Sequence, residues 1–260
     1  MISGLTESPK SKEINLNYKR LISYLIEGYI VGAELQTAKI MLSVCGKLAF
    51  PQDSWYLEEK DFLGFPLQHI YILNFIWSKY IGYSGFDRQY LIWRETGDDS
   101  LSAGLEFGWV TVKKRSFSDD FKYYSTINYE SKGIFSRKLC LPRAWLILCN
   151  KRHVEYFATQ NRLNDLWRVY NSFKRIAGIF EELMKYDIDN SDQDKEDGYC
   201  WSYQWSIFSE LMKRMELYKS NMNALMFLRK ENFDYAKGLI KDVEKLDKKS
   251  RLKLQEPFLP

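Results

Sequence analysis

Trp201-Ser202-Tyr203-Gln204-Trp205-Ser206-Ile207-Phe208-Ser209-Glu210-Leu211-Met212-Lys213-Arg214-Met215 is the stretch on which the fold turns. Trp201, Trp205, Phe208, Met212 and Met215 recur at intervals of three and four, and Tyr218, Met222 and Leu225 continue the series. That interval lines them up along one side of an α-helix. Upstream, Leu163, Trp167, Tyr170, Phe180 and Met184 keep a comparable stripe, with Ile176 or Ala177 between them. Arg168, Lys174, Arg175, Glu181, Glu182 and Lys185 fall largely opposite. Two apolar stripes of this length must bury each other or a shared core, which predicts a long helical hairpin joined by the acidic stretch Asp187 to Gly198. A last helix follows, carrying Phe233, Ala236, Leu239, Ile240, Val243 and Leu246 on one face. Lys248, Lys249, Arg251 and Lys253 then lead into Pro257-Phe258-Leu259-Pro260.

Towards the N-terminus, Tyr18, Leu21, Ile22, Leu25, Ile26 and Tyr29 repeat the helical interval, and the pattern is read as one helix continuing past Gly28 and Gly32 towards Phe50. Pro51 ends it. Pro66 opens a second helix that runs to about Ile81, before the punctuation Gly82-Tyr83-Ser84-Gly85. From about Gln89 to Asn150 the helical period is lost. Tyr90 to Trp93, Phe107 to Val112, Tyr123 to Tyr129 and Trp145 to Cys149 are rich in aromatic and β-branched residues, which predicts short strands. Ala144 to Cys149 fits a buried strand and the first turn of a buried helix equally well. The expected fold class is therefore α+β, mainly α: a helical bundle with a long C-terminal helical hairpin and a small central antiparallel sheet. The expected organisation is a flexible leader over 1–13 and a single compact domain over 14–260. Within that domain come N-terminal helices over 14–85, a strand-rich middle over 86–150, C-terminal helices over 151–250 and a tail over 251–260.

Composition narrows the function classes. The chain has 260 residues, 45% hydrophobic and 28% charged, which is far from the low-apolar, high-charge corner of disordered chains. A net charge of +4 is too small to demand a nucleic-acid or membrane partner. Cys45, Cys140, Cys149 and Cys200 form no C-x-x-C pair, as expected of reduced thiols. The first ten residues lack the basic start and apolar centre of a secretory signal. The most apolar run, Ile70 to Trp77, already contains Asn74 and falls well short of the roughly 20 residues a membrane span needs. A cytoplasmic protein is expected.

The chemistry on offer is sparse. His69 and His153 are the only histidines, and neither has a nearby partner of the kind a triad or metal site would show. No H-E-x-x-H, G-x-S-x-G or P-loop is present. Asp187, Asp189, Asp192, Asp194, Glu196 and Asp197 invite a calcium loop, yet Asp192 and Gly198 stand where an EF-hand needs Gly and Glu, so a solvated connection is favoured. Glu58-Glu59-Lys60 and Asp119-Asp120-Phe121-Lys122 resemble the carboxylate and lysine sets of Mg²⁺ nucleases, a pattern that also arises by chance in a charged chain. Neither metal nor cofactor is expected. From Ser131 to Val154, Lys132, Arg137, Lys138, Arg143, Lys151 and Arg152 stand without an acid, whereas eight acids face two lysines between Glu181 and Asp197. Such charge asymmetry steers partners or pairs internally.

Leu141-Pro142-Arg143-Ala144-Trp145-Leu146-Ile147-Leu148-Cys149-Asn150-Lys151-Arg152-His153-Val154-Glu155-Tyr156-Phe157 resembles a segment of the bacterial immunity protein 49 family, in which a tryptophan opens an apolar helix before a short charged break. Asp197-Gly198-Tyr199-Cys200-Trp201-Ser202-Tyr203-Gln204-Trp205 is similar to that family's aromatic helix start. Asn223-Ala224-Leu225-Met226-Phe227-Leu228-Arg229-Lys230-Glu231-Asn232-Phe233-Asp234-Tyr235-Ala236 resembles its closing helical pair. The likeness covers about the C-terminal half. It implies a non-enzymatic antidote that neutralises a cognate bacterial toxin domain by occlusion. Asp187, Asp189, Asp192, Asp194, Glu196 and Asp197 are then the expected partner-binding residues. A metal-dependent nuclease or other phage-defence enzyme, and a helical adaptor, are the rival expectations; neither a membrane nor a nucleic-acid partner is expected.

Overall fold

Gly28 breaks what the spacing reads as one helix. Its φ of 74° lies in the left-handed region that glycine enters without penalty. The Tyr29 N–H returns to the Tyr24 carbonyl at 2.8 Å and the Gly28 N–H to that of Leu25 at 3.2 Å, the paired closure that ends helices at a left-handed residue. The result is α1 (Pro9–Ile26), a tight turn, and α2 (Ile30–Val44). The structure is a computed structural model and describes residues 9–47, 57–82, 84–107, 110–111, 120–121, 142, 199–220 and 226–255.

After α2 come α3 (Glu59–Leu63), α4 (Leu67–Ile81), α5 (Phe86–Glu95) and α6 (Ser100–Glu106). The strand pair β1 (Val110–Thr111) and β2 (Asp120–Phe121) follows, then α7 (Tyr199–Ser220), α8 (Met226–Glu244) and α9 (Lys248–Gln255). The helix opened by Pro66 thus runs as its spacing predicts. Two packing groups share α4. In one, α1 lies on α2, and α8 covers α1 and α4. Tyr18, Leu21 and Ile22 of α1, Ala33 and Ile40 of α2, Leu73 and Ile76 of α4, and Ala236 and Val243 of α8 are buried there. In the other, α7 crosses α3, α5 and α6. It buries Ile207, Phe208, Leu211, Met212 and Met215, with Phe208 edge-on to Phe107 at 5.6 Å. This apolar burial drives the association of the helices.

The expected α+β class does not hold. Tyr90 to Trp93, read as a strand, lies inside α5, and Phe107 caps α6. Val110 and Thr111 pair antiparallel with Phe121 and Asp120, two residues a side, which is too short to form a layer. Among the described residues the expected small central antiparallel sheet is reduced to this one two-residue pair, and the fold is helical. Aromatic and β-branched content misled here because strand propensity measures fit to a half-buried surface, and a buried helix face supplies the same fit. α1 begins at Pro9, inside the stretch expected to be a leader. Tyr123 to Tyr129, Trp145 to Cys149, the first arm of the expected hairpin and its acidic loop lie outside the described residues. No helix among the described residues is long and apolar enough to cross a membrane.

Candidate functional site

A seam of buried polar groups runs between α1, α2 and α4. The side-chain amide of Gln36 donates to Asn17 Oδ1 at 3.1 Å. The Thr37 hydroxyl donates to the Ala33 carbonyl at 2.9 Å and accepts the Trp77 indole N–H at 2.9 Å. The phenol of Tyr18 shares a 2.8 Å hydrogen bond with His69 Nδ1, the rings nearly parallel at 6.0 Å. Burial, followed by the nearby Tyr235, holds the Tyr18 phenol well above its ordinary value, so it stays protonated. Glu34 is fully buried on the same helix as Gln36 and Thr37. On the outer side of the seam, burial and the neighbouring Arg20 lower the Lys39 ammonium from its ordinary value, against an opposing pull from Glu13. Each polar group here sits on an otherwise apolar helical stripe, and that exception was the signal in the sequence that went unread.

The second cluster is the turn from α4 into α5. Asn74 Oδ1 accepts the Asp87 N–H at 2.9 Å while its amide donates to Asp87 Oδ2 at 2.7 Å, and the Ser78 hydroxyl donates to the Ser84 carbonyl at 3.1 Å. Gly85 has φ 115°, and a Cβ there would stand 2.7 Å from Asn74 Oδ1. Only glycine satisfies both the dihedral and the close approach. Lys219 of α7 reaches Asp87 Oδ1 at 3.0 Å and lies 4.7 Å above the Tyr90 ring, fastening α7 to the turn. Arg94 pairs with Asp98 at 2.6 Å and stands 3.8 Å from Glu216. Burial, then the charge of Glu216, raises the Tyr90 phenol. One turn apart on α5, Gln89 donates to the Pro142 carbonyl at 2.8 Å, yet its Oε1 and the Trp93 indole N–H are buried without a hydrogen-bond partner among the described residues. A buried, unpaired donor and acceptor on one helix face are costly unless another group satisfies them.

The residues singled out for chemistry behave differently. The expected partner-binding acids Asp187 to Asp197 lie outside the described residues. Glu58 and Asp61 flank the start of α3, where Asp61 accepts the Glu58 N–H at 2.6 Å, and Lys47 holds both carboxylates at 3.0 and 2.7 Å. Burial works against the Lys47 ammonium, but its hydrogen bonds to Asp61 and Glu58 outweigh that, and it sits above its ordinary value. Glu58 is correspondingly held low: burial pushes it up, and Lys60 and Lys47 outweigh burial. Glu58-Glu59-Lys60 is thus a salt-bridged helix start. No group of three or more His, Cys, Asp or Glu able to hold a metal occurs among the described residues. Of Asp119-Asp120-Phe121-Lys122, the described Asp120 and Phe121 form β2, paired with Thr111 and Val110.

Helices α1 to α6, with the buried seam and the capped α4–α5 turn, define a helical domain whose polar groups serve helix association; among the described residues, Gln89 Oε1 and the Trp93 indole N–H on α5, and Asn17 Nδ2 on α1, have no hydrogen-bond partner. Residues 11–142, which contain all but the start of that unit, match the family described as GUN4-like. The chain belongs to the GUN4-like family. No curated protein and no solved structure matches it. The family match overturns the resemblance to immunity protein 49, and with it the toxin-neutralising function and the toxin partner. That likeness rested on aromatic helix starts, which amphipathic helices of unrelated folds share; the family match instead lies mainly in the N-terminal half.

Proposed function

We propose that this chain is a non-catalytic tetrapyrrole-binding regulator. The observation that carries the reading is the GUN4-like match over residues 11–142, a family associated with porphyrin binding and with regulation of chlorophyll-biosynthesis enzymes. The described residues are compatible with such a ligand on α5. A tetrapyrrole is a large planar apolar ring that often carries peripheral carboxylates, so it needs an aromatic or aliphatic surface with cations at the margin. The exposed Leu91 and Tyr90, over whose ring Lys219 lies, supply the first; Arg94 and Lys219 supply the second by exchanging their present partners Asp98 and Asp87 for the ligand's carboxylates. The unsatisfied Gln89 Oε1 and Trp93 N–H lie behind them. The bound pigment would supply the chemistry; the chain's residues would bind and orient it and shield it from water. An enzyme such as magnesium chelatase is the kind of partner this reading implies.

The test is titration of the full chain with protoporphyrin, followed by tryptophan quenching and by the shift of the porphyrin's main absorption band. Saturable binding is expected, and Arg94→Ala with Lys219→Ala should weaken it roughly tenfold, the loss of about 1.4 kcal/mol. Absence of saturable binding would sink the proposal. Binding unaffected by the double variant would move the site away from α5.

A further inference from the structure

The connection from α5 to α6 holds an aspartate in a conformation that glycine usually takes. Gly97 and Asp98 are both left-handed, with φ of 74° and 63°, and among the described residues Asp98 alone adopts this region without being glycine. The Asp98 N–H returns to the Trp93 carbonyl at 2.9 Å and the Gly97 N–H to that of Arg94 at 3.1 Å, closing α5. Asp99 then opens α6 by accepting the Ser102 N–H at 2.7 Å. Glycine or asparagine is the usual residue where a chain leaves a helix in this way. An aspartate there sends a carboxylate back onto α5, where Asp98 meets Arg94 Nη1 at 2.6 Å, and Glu216 of α7 stands 3.8 Å from the same nitrogen. Asp98 and Arg94 are close to half exposed, at 44% and 46%, so their pairing adds little to stability. Asp87, the partner of Lys219, differs in that it also anchors Asn74 at the α4–α5 turn.

We propose that Asp98 is an internal competitor for the ligand's carboxylate, a residue that sets the affinity and selectivity of the α5 face. It occupies Arg94 until a ligand acid takes its place. The inference rests on the tetrapyrrole reading and deepens it. A ligand carboxylate at Arg94 makes the contact that Asp98 already makes, so only the difference between the two counts towards binding. Tethered four residues away, Asp98 is present at a high effective concentration. Small free anions therefore displace it poorly, whereas an acid carried on an apolar ring also gains the surface of Leu91 and Tyr90. Selectivity thus favours an amphiphilic acid over an inorganic anion. Glu216 is a weaker second competitor, placed by α7, which lies beyond the residues 11–142 that match the family.

The test is titration of the full chain and of Asp98→Asn with protoporphyrin, which carries two free carboxylates, and with its dimethyl ester, which carries none. Asparagine accepts the left-handed backbone, so the variant should unfold at the temperature of the parent. It should bind protoporphyrin about threefold more tightly, the scale of one exposed ion pair, and the gain should vanish at high salt. Its affinity for the dimethyl ester should equal that of the parent. In an Arg94→Ala background the same substitution should change nothing, because the contested cation is gone. Unchanged protoporphyrin affinity in Asp98→Asn would overturn the proposal while leaving the tetrapyrrole reading in place. An equal gain for the dimethyl ester, or a gain that persists without Arg94, would also overturn it, since either traces the effect to a loosened turn. A parent chain that binds no protoporphyrin would defeat both.

Discussion

The indole N–H of Trp77 donates to the hydroxyl of Thr37 across 2.9 Å, although the two residues stand 40 apart in the chain. Both side chains are fully buried, so the bond ties α4 to α2 inside the core. Thr37→Val keeps the shape and removes the acceptor, stranding the indole donor, at an expected cost of about 1–3 kcal/mol. The urea midpoint should fall with an unchanged slope, and Thr37→Ser should recover most of the loss. An unchanged midpoint for the valine variant would show that the bond contributes nothing.

Gly85→Ala adds a Cβ at a φ of 115°, 2.7 Å from Asn74 Oδ1 and 2.8 Å from Ser78 Oγ. Either the α4–α5 turn opens or Asn74 releases Asp87. Destabilisation of roughly 2 kcal/mol or more is expected, with amide exchange accelerated most in α5. Wild-type protection across α5 would contradict this account of the turn.

Stability at the α3 start should be bounded on both sides in pH. Glu58 is lowered from its ordinary value of 4.5 by the two lysines, against burial. Its contribution is therefore full above about that value and is lost as pH falls through its folded pKa. Lys47 is raised above its ordinary 10.5 by Asp61 and Glu58, again against burial, so its contribution is present below about that value and is lost as pH rises through its folded pKa. With solvent screening the cluster is worth less than about 1 kcal/mol. Lys47→Met should flatten the acid limb of a melting-temperature profile; a profile as steep as the parent's would rule the cluster out as its source.

α9 is held by polar contacts. Arg251 donates from Nε to Glu27 at 2.7 Å and from Nη1 to the Leu246 carbonyl at 2.5 Å, while Ser23 and Arg20 donate to the Arg251 and Leu254 carbonyls at 2.8 and 2.9 Å. Arg251→Ala leaves Glu27 without this partner and should expose α9 to protease while the rest of the chain unfolds cooperatively with nearly unchanged midpoint. Resistance of α9 equal to that of the parent would mean that the remaining contacts suffice. The converse variant, Glu27→Gln, should have a milder effect because a neutral acceptor oxygen remains.

Legibility differed by element. The run after Pro66 was readable because Ile70, Leu73, Ile76, Trp77 and Ile81 hold the helical interval and are buried in α4. The turn at Gly28 was not, because the same apolar interval continues on both sides of it and a glycine within a helical pattern does not by itself announce a break. Tyr90-Leu91-Ile92-Trp93 reads locally as strand. What makes it helix is distant: Asn74 capping Asp87, and α7 packed against Tyr90 through Lys219. The candidate ligand face was illegible for the same reason, since Arg94 and Lys219 belong to segments more than a hundred residues apart.

Periodicity by itself determined that long amphipathic helices dominate this protein and where several of their buried faces lie, because side-chain spacing along a helix is set by backbone geometry alone. Which helices meet, which polar groups are paired across them, and which remain unsatisfied on α5 were decided only in three dimensions. Those outcomes depend on desolvating particular donors and acceptors against one another, and no local spacing encodes which partners close that account.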